Sequence, residues 1–268
     1  MKINDLFFNL NLTCNACGKE NDKGYFCNKC RKELPFNNVI CDKCGRSTIN
    51  KESRCISCGD RELHFEKARS VFKYLQPINV MIKRLKYRHK KYLARVFSPI
   101  MAYILLTEFK DTDFIINVPM HKKDKFLRGY NQTEVLATEI SKNAEIEYKK
   151  DIFKKHVKTK RQATLNKEER RKNLKKAFVL QDKKLVKGKV ITIIDDVMTT
   201  GSTVETLAEK LLKAKAKKVY VLTIASVGER ERNQPKFYTS LWQKIKNSKL
   251  FAKIFQKRYL HKGKNIVK

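Results

Sequence analysis

Two stretches of this chain carry residue types whose spacing can do chemistry. The first is Ile191 to Thr203, I-T-I-I-D-D-V-M-T-T-G-S-T, where an apolar run ends in two adjacent carboxylates, Asp195 and Asp196, and a turn of small hydroxylated residues follows. Thr199, Thr200, Gly201, Ser202 and Thr203 bring hydroxyls and backbone N–H groups to the expected start of a helix, an arrangement suited to a phosphate. Gly201 lets the backbone close on an anion with no Cβ in the way. Two acids beside such a cradle would repel its ligand unless they accept hydrogen bonds from sugar hydroxyls or hold a hydrated Mg²⁺. Together these residues describe a site for a ribose 5-phosphate. The plainer alternative is a helix cap, with Ser202 and Glu205 as a capping box, beside two surface acids. A Walker-type NTPase is excluded, because no G-x-x-x-x-G-K-[ST] occurs in the chain.

The second stretch holds all 8 Cys, before residue 59, as four C-x-x-C pairs: Cys14/Cys17, Cys27/Cys30, Cys41/Cys44 and Cys55/Cys58. Two thiolates three positions apart bend around one tetrahedral cation, and two such pairs complete a four-thiolate zinc site. The expected grouping is Cys14, Cys17, Cys27 and Cys30 on one ion and Cys41, Cys44, Cys55 and Cys58 on the other, though spacing also admits an interleaved pairing. Iron–sulfur ligation is the rival chemistry. Gly18, Gly45 and Gly59 follow the second cysteine of three pairs, while Cys30 is followed by Arg31. Residues 1–60 hold too little apolar surface to fold alone, so metal binding is expected to supply much of their stability. Such ribbons either grip nucleic acid or brace the domain behind them.

The elements that must position the first stretch alternate between strand and helix. Ala68 to Tyr74 is expected as a strand, Ile78 to Arg88 as a helix, and Leu93 to Phe109 as a second helix interrupted at Pro99. Phe114 to Val118 is a short strand stopped by Pro119, and Asn131 to Ser141 a helix. Lys154 to Lys176 is charged and polar, either a solvated helix with its loop or a mobile flap. Val190 to Ile194 and Val219 to Ala225 have the continuous apolar character of buried strands. Between them Val204, Leu207, Ala208, Leu211 and Leu212 recur at helical spacing. This alternation predicts an α/β fold with a parallel sheet flanked by helices, in which ligands sit beyond the carboxyl ends of the strands.

Composition sets the outer bounds. The 268 residues carry 61 Lys plus Arg against 27 Asp plus Glu, a net +34 that draws phosphate backbones, anionic lipids and phosphorylated small molecules alike. At roughly 100–200 residues per domain the length suits one ordinary domain and a small accessory module. The longest apolar run, Val96 to Leu106, falls well short of the roughly 20 residues of a spanning helix. The N-terminus lacks a signal-peptide pattern, so the chain is expected in the cytoplasm, where a disulfide framework is disfavoured.

I-I-D-D-V-M-T-T-G-S-T closely resembles the phosphate and ribose signature of type I phosphoribosyltransferases. From about residue 14 to 227 the chain resembles the ComF family, in which a double zinc ribbon precedes that fold. Further ordered matches are Leu85, Lys86 and Tyr87 to L-K-Y, and Val118, Pro119, His121, Arg128, Gly129, Tyr130, Asn131 and Gln132 to V-P-x-H and R-G-[FY]-N-Q. Thr159, Gln162, Leu165, Arg170, Asn173 and Phe178 match T-x-x-Q-x-x-L and R-x-x-N-x-x-x-x-F. The resemblance implies a ribbon over residues 1–62 and a phosphoribosyltransferase-like domain over 63–228, whereas the basic tail over 229–268 departs from the family pattern, which ends near Val227.

It further implies 5-phosphoribosyl 1-pyrophosphate as ligand, with Mg²⁺. Asp195 and Asp196 would take the ribose hydroxyls and Thr199 to Thr203 the 5-phosphate. Lys122, Lys123 and Arg128 are candidates for neutralising the departing pyrophosphate. Arg128 has the stronger claim through its motif, since a lysine pair arises readily by chance in so basic a chain. Arg170 and Asn173 belong either to a closing flap or to a solvated helix face. No general base stands out beyond His121 and His156, and no acceptor is indicated. ComF-like proteins are associated with natural transformation, which raises a second hypothesis: a non-enzymatic single-stranded DNA-binding protein that retains the pocket. After Glu231 the tail has no acidic residue, and Leu241, Trp242, Ile245, Phe251, Ile254, Phe255 and Tyr259 interleave with lysines. That pattern fits a basic amphipathic helix on an anionic membrane or nucleic acid, or a helix packed on the domain with a solvated lysine face.

Overall fold

The computed structural model describes residues 13–21, 24–48, 54–56, 58–59, 61–156, 174, 176–228, 248–251 and 253–254. Along the chain come α1 (Asn28–Lys32), β1 (Lys67–Lys73), α2 (Ile78–Tyr87), α3 (Leu93–Glu108), β2 (Phe114–Asn117), α4 (Lys122–Arg128), α5 (Gln132–Ala144), β3 (Glu147–Tyr148), β4 (Phe153–Lys155), β5 (Phe178–Leu180), β6 (Val190–Met198), α6 (Ser202–Lys213) and β7 (Lys218–Ser226). Five strands make one parallel sheet in the order β1-β7-β6-β2-β3, and β4 pairs antiparallel with β5.

The central strands are apolar on both faces because both are covered. Ile194 and Leu222 join α2, α3 and α5 through Leu85, Met101 and Leu136. Ile191, Ile193 and Val221 join α6 through Val204, Leu207 and Leu211. The connections place the functional crevice. From β2 the chain moves on to β3, toward one edge, whereas from β6 it moves to β7, toward the other. Since β2 and β6 are neighbours, the sheet's topological switch point lies at their carboxyl ends, where such sheets bind ligands.

Three expectations need correction. Helix α3 runs unbroken through Pro99, which is itself buried. A proline forfeits one helical hydrogen bond, but the buried face of α3 around it, from Leu93 to Leu105, holds the helix together. Strand β6 does not stop at the acids: its pairing with β7 continues through Val197 and Met198. Lys154 and Lys155, expected in a charged helix or flap, are in β4, facing Val179 and Phe178 across the antiparallel pair. Thr159, Gln162, Leu165, Arg170 and Asn173 lie outside the described residues.

The cysteine-rich segment is fastened to β1. Phe36 pairs with Phe72, the Asn37 N–H donates to the Val71 carbonyl at 3.0 Å, and the Lys73 N–H donates to Pro35 at 2.7 Å. The Asn37 side-chain amide donates to the Ser70 and Phe72 carbonyls, each at 3.0 Å. Farther along, the Ala68 N–H reaches the Lys43 carbonyl at 2.8 Å, and Arg69 Nη1 reaches that of Asp42 at 3.0 Å. Most of the basic tail lies outside the described residues. Within the described part, Ile254 is buried in the same cluster as α3, and Phe251 meets Tyr103 edge-on at 6.0 Å. These apolar residues therefore pack on the domain.

Candidate functional site

Strand alternation sends the side chains of Asp195 and Asp196 to different sides of β6. Asp196 turns toward α2 and α5 and is buried. Lys86, at the end of α2, places Nζ 2.8 Å from Asp196 Oδ1, and Gln132, first residue of α5, donates its amide to Oδ2 at 2.6 Å. The Asp195 carboxylate accepts the backbone N–H of Asp196 at 2.8 Å. Burial and the adjacent Asp196 push the Asp195 carboxyl up to about 7, against the pull of Lys86. Burial works against the Lys86 ammonium, but Asp196 and Asp195 outweigh it and hold that lysine above its ordinary range.

Arg128 joins the same network. Its Nη1 donates to Gln132 Oε1 at 3.2 Å, its Nη2 donates to the Tyr87 hydroxyl at 3.3 Å, and its guanidinium lies 4.6 Å from the centre of the Tyr87 ring. The Gln132 amide is thereby oriented from both ends, its oxygen toward a cation and its nitrogen toward an anion. Lys86, Tyr87, Arg128, Gln132 and Asp196 thus form a closed circuit across α2, α4, α5 and β6. The R-G-Y-N-Q segment is anchored below this circuit. Asn131 Nδ2 and Thr133 Oγ1 both donate to the Val118 carbonyl, at 3.0 and 2.7 Å, and the Tyr130 hydroxyl donates to Leu85. Asn131 also caps α5, its Oδ1 accepting the Thr133 N–H at 3.1 Å.

After β2 comes the short helix α4, capped by His121, whose Nδ1 accepts the Lys123 N–H at 3.2 Å. Lys122 and Lys123 lie exposed on its first turn, apart from the circuit that engages Arg128. His156 follows β4, its N–H donating to Ala177 at 2.9 Å.

After β6 the chain turns through exposed Thr199 and Thr200 into Gly201, whose φ of +76° is the left-handed conformation that favours glycine. Gly201 is the N-cap of α6, and no side chain caps the helix. The expected capping box is therefore absent. Thr200 Oγ1 and Ser202 Oγ are 2.9 Å apart at the mouth of the turn. Glu205 faces away from it and binds His64, whose backbone N–H lies 3.2 and 3.1 Å from the two carboxylate oxygens and whose Nδ1 lies 2.6 Å from Oε1. The amino end of α6 thus carries the Thr200 and Ser202 hydroxyls, with the Ser202 N–H donating to Thr200 Oγ1 at 3.4 Å, while its first-turn carboxylate, Glu205, is engaged by His64. This arrangement can receive an anion.

The cysteines gather as two groups of four, Cys14 with Cys17, Cys27 and Cys30, and Cys41 with Cys44, Cys55 and Cys58, with ligand atoms within 4.8 Å of one another in each group. The grouping is sequential, not interleaved. The second group is buried throughout and packs with Phe65, Ala68 and Met198. Four thiols this close cannot ionise together without a cation. The hydrogen bond from the Cys44 thiol pulls Cys41 down to about 4, and the same bond, with burial, drives Cys44 above the thiol range. A divalent ion removes this conflict, and four thiolates fit zinc.

The model of the phosphoribosyl transferase domain matches residues 96–255, which contain α4, α5, both acids and the hydroxyl-rich turn into α6. The chain belongs to this family. Competence protein F of Haemophilus influenzae is 28% identical over 213 residues, covering 76% of this chain and 91% of that protein. DNA utilization protein YhgH of Escherichia coli O157:H7 is 28% identical over 200 residues, covering 73% of this chain and 87% of that one. These relatives bear out the ComF resemblance. A solved hypoxanthine-guanine phosphoribosyltransferase from Bacillus anthracis aligns with 55% of this chain and 74% of its own, at 12% identity and a TM-score of 0.35. Among the described residues no helix is long and apolar enough to cross a membrane.

Sequence reasoning quoted Lys86 and Gln132 only as letters of motifs and assigned them no part in the site. The available signal was their motif membership: a lysine ending an apolar-faced helix and a glutamine opening another, the latter in the same motif as Arg128.

Proposed function

We propose that the chain binds 5-phosphoribosyl 1-pyrophosphate with Mg²⁺ in the crevice at the carboxyl ends of β2 and β6. One observation carries this reading. Paired acids on β6, of which Asp196 is held by Lys86 and Gln132, stand one turn away from the start of α6, which follows Thr199 and Thr200, has Gly201 as its N-cap and opens on Ser202 and Thr203. The 5-phosphate accepts hydrogen bonds from that turn. Asp195 and Asp196, at the carboxyl end of β6, are the acceptors for the ribose hydroxyls. Mg²⁺, when bound, supplies charge neutralisation on the pyrophosphate. Arg128, fixed by Tyr87 and Gln132, is the candidate within the chain for the same task as pyrophosphate departs, with Lys122 and Lys123 as exposed auxiliaries. Zinc in the two four-cysteine groups is structural.

A second reading is favoured by two observations. Tyr87, Phe126 and Leu127 are exposed among the basic residues of α2 and α4, and the curated relatives are named for competence and DNA utilization. Aromatic and basic surface of this kind suits stacking of single-stranded bases, so DNA is either the acceptor or the principal ligand.

The test is calorimetric titration with 5-phosphoribosyl 1-pyrophosphate and Mg²⁺, followed by pyrophosphate release with and without single-stranded DNA. Binding by the wild type and loss of binding on combined Asp195→Ala and Asp196→Ala substitution, with unchanged circular dichroism, is expected. Equal affinity in the double variant refutes the site. Release that requires no DNA supports an enzyme with another acceptor, and salt-sensitive DNA binding without release supports the second reading.

A further inference from the structure

The cysteine ribbon reaches the phosphate turn through one side chain. Arg46 follows Cys44 by two residues. Its Nε lies 3.4 Å from the Cys44 sulfur and its Nη2 3.8 Å from the Cys55 sulfur, while its Nη1 donates to the Thr199 carbonyl at 3.1 Å. A planar guanidinium holds these directions in one rigid fork, which a lysine cannot imitate.

The geometry explains why such a bond matters to the turn. A turn that presents its N–H groups to an anion must send carbonyls the other way, and those carbonyls need donors. Arg46 is the donor for Thr199, the first residue of the turn. A second tie comes from the same side of the molecule. His64, just past the last two cysteines, holds Glu205 in the first turn of α6 by both its backbone N–H and its ring. The ribbon side is itself seated firmly. A Cβ on Gly45 would clash with the Ala68 carbonyl oxygen, so the cysteine knuckle lies directly on the β1 backbone.

We propose that Arg46 is a positioning residue that couples the Cys41, Cys44, Cys55 and Cys58 metal site to the phosphate turn. Its contacts with the cluster sulfurs hold one side of the guanidinium, and the other side sets the Thr199 carbonyl. The inference rests on the phosphate-binding reading of the turn and adds its control by the metal site. Metal-bound thiolates carry negative charge and accept from Arg46 more strongly than neutral thiols. Removing the metal therefore loosens Arg46 and, through it, the turn. Because coupling between two sites is reciprocal, a phosphorylated sugar in the turn must also raise the affinity of this cluster for its metal.

The experiment uses the zinc-loaded full chain as wild type, Arg46→Ala and Arg46→Lys. Calorimetry with 5-phosphoribosyl 1-pyrophosphate and Mg²⁺ gives affinity. Zinc affinity is measured by equilibrium competition with a chromophoric chelator, with and without that sugar. In the wild type the sugar is expected to tighten one zinc equivalent, but not the other, by about tenfold, within the usual range of coupling between sites. Both variants are expected to bind the sugar about tenfold more weakly, with the gain in zinc affinity lost. Wild-type affinity for the sugar in Arg46→Ala, or a gain in zinc affinity that persists in it, overturns the coupling while leaving the ligand site standing. A wild type that binds the sugar with no gain in affinity for either zinc equivalent also overturns it, with no variant needed. A wild type that fails to bind the sugar overturns the ligand reading, and this inference with it.

Discussion

Lys86 is the residue on which the site's electrostatics turn, and replacing it by methionine tests this directly. The substitution keeps the length and apolar stem of the side chain and deletes its charge. Lys86 retains 21% of its side-chain exposure and Asp196 only 6%, so the ion pair is largely withdrawn from water. Removing one partner of a buried pair costs about 3–5 kcal/mol, because the other charge is stranded. Two features reduce that cost here. Gln132 still donates to Asp196, and Asp195, already pushed up to about 7, can take up a proton and relieve the repulsion between the acids. The expected loss is therefore about 2–3 kcal/mol near pH 8, and smaller at pH 6, where Asp195 is already largely protonated. For a domain of this size each kcal/mol moves Tm by about 2–4 °C, giving a fall of about 4–12 °C by thermal unfolding. A double-mutant cycle isolates the pair: in an Asp196→Asn background, Lys86→Met should cost little. If Lys86→Met leaves Tm unchanged, or costs as much in that background as in the wild type, the pair is not what holds Asp196.

Two further outcomes follow from the same geometry. Gly45→Ala should destabilise by about 3 kcal/mol or more, since its φ of +64° resists a side chain and the Cβ would strike the β1 backbone; urea unfolding at wild-type midpoint would refute this. The pH dependence of Asp195 has a definite sign. Its folded pKa of about 7 lies above the ordinary 3.8, so between about pH 4 and 7 the folded chain binds more protons than the unfolded one. The contribution of this residue to stability therefore falls as pH rises through that window and is level above it. The stability difference between wild type and Asp195→Asn, followed by urea midpoints, should decline across the window; a flat difference removes the shifted carboxyl from the account.

How much was legible in the sequence depended on how local each cause was. The run Val190 to Ile194 and the stripe from Val204 to Leu212 announced β6 and α6, because burial on both faces or on one leaves a periodic trace. The turn from β6 into α6 was legible as a distinct segment because hydroxyls, a glycine and two acids fall within a few positions. The full length of β6 was not, since Asp195 and Asp196 break the apolar run, although pairing with β7 carries the strand on to Met198. Strand β4 was hidden by its charge, Phe153 being its only buried position. Lys86 and Arg46 were hidden for a different reason. Each acts on residues more than a hundred positions away, and among 61 basic residues neither is distinguishable by type. Motif membership pointed toward Lys86, but nothing local pointed toward Arg46.

The seam between the cysteine-rich segment and β1 has one more consequence. Strand β1 is an outermost strand of the sheet, and an outermost strand offers a row of free amides and carbonyls to any passing chain. Here Pro35, Phe36 and Asn37 occupy part of that row as a makeshift neighbour, with Lys43 and Asp42 closing it farther along. The metal clusters thus act as a selvage on the fabric of the domain. Stripping them would lay bare a strand as apolar as Val71 and Phe72 make it, and the first symptom would be self-association of otherwise folded molecules.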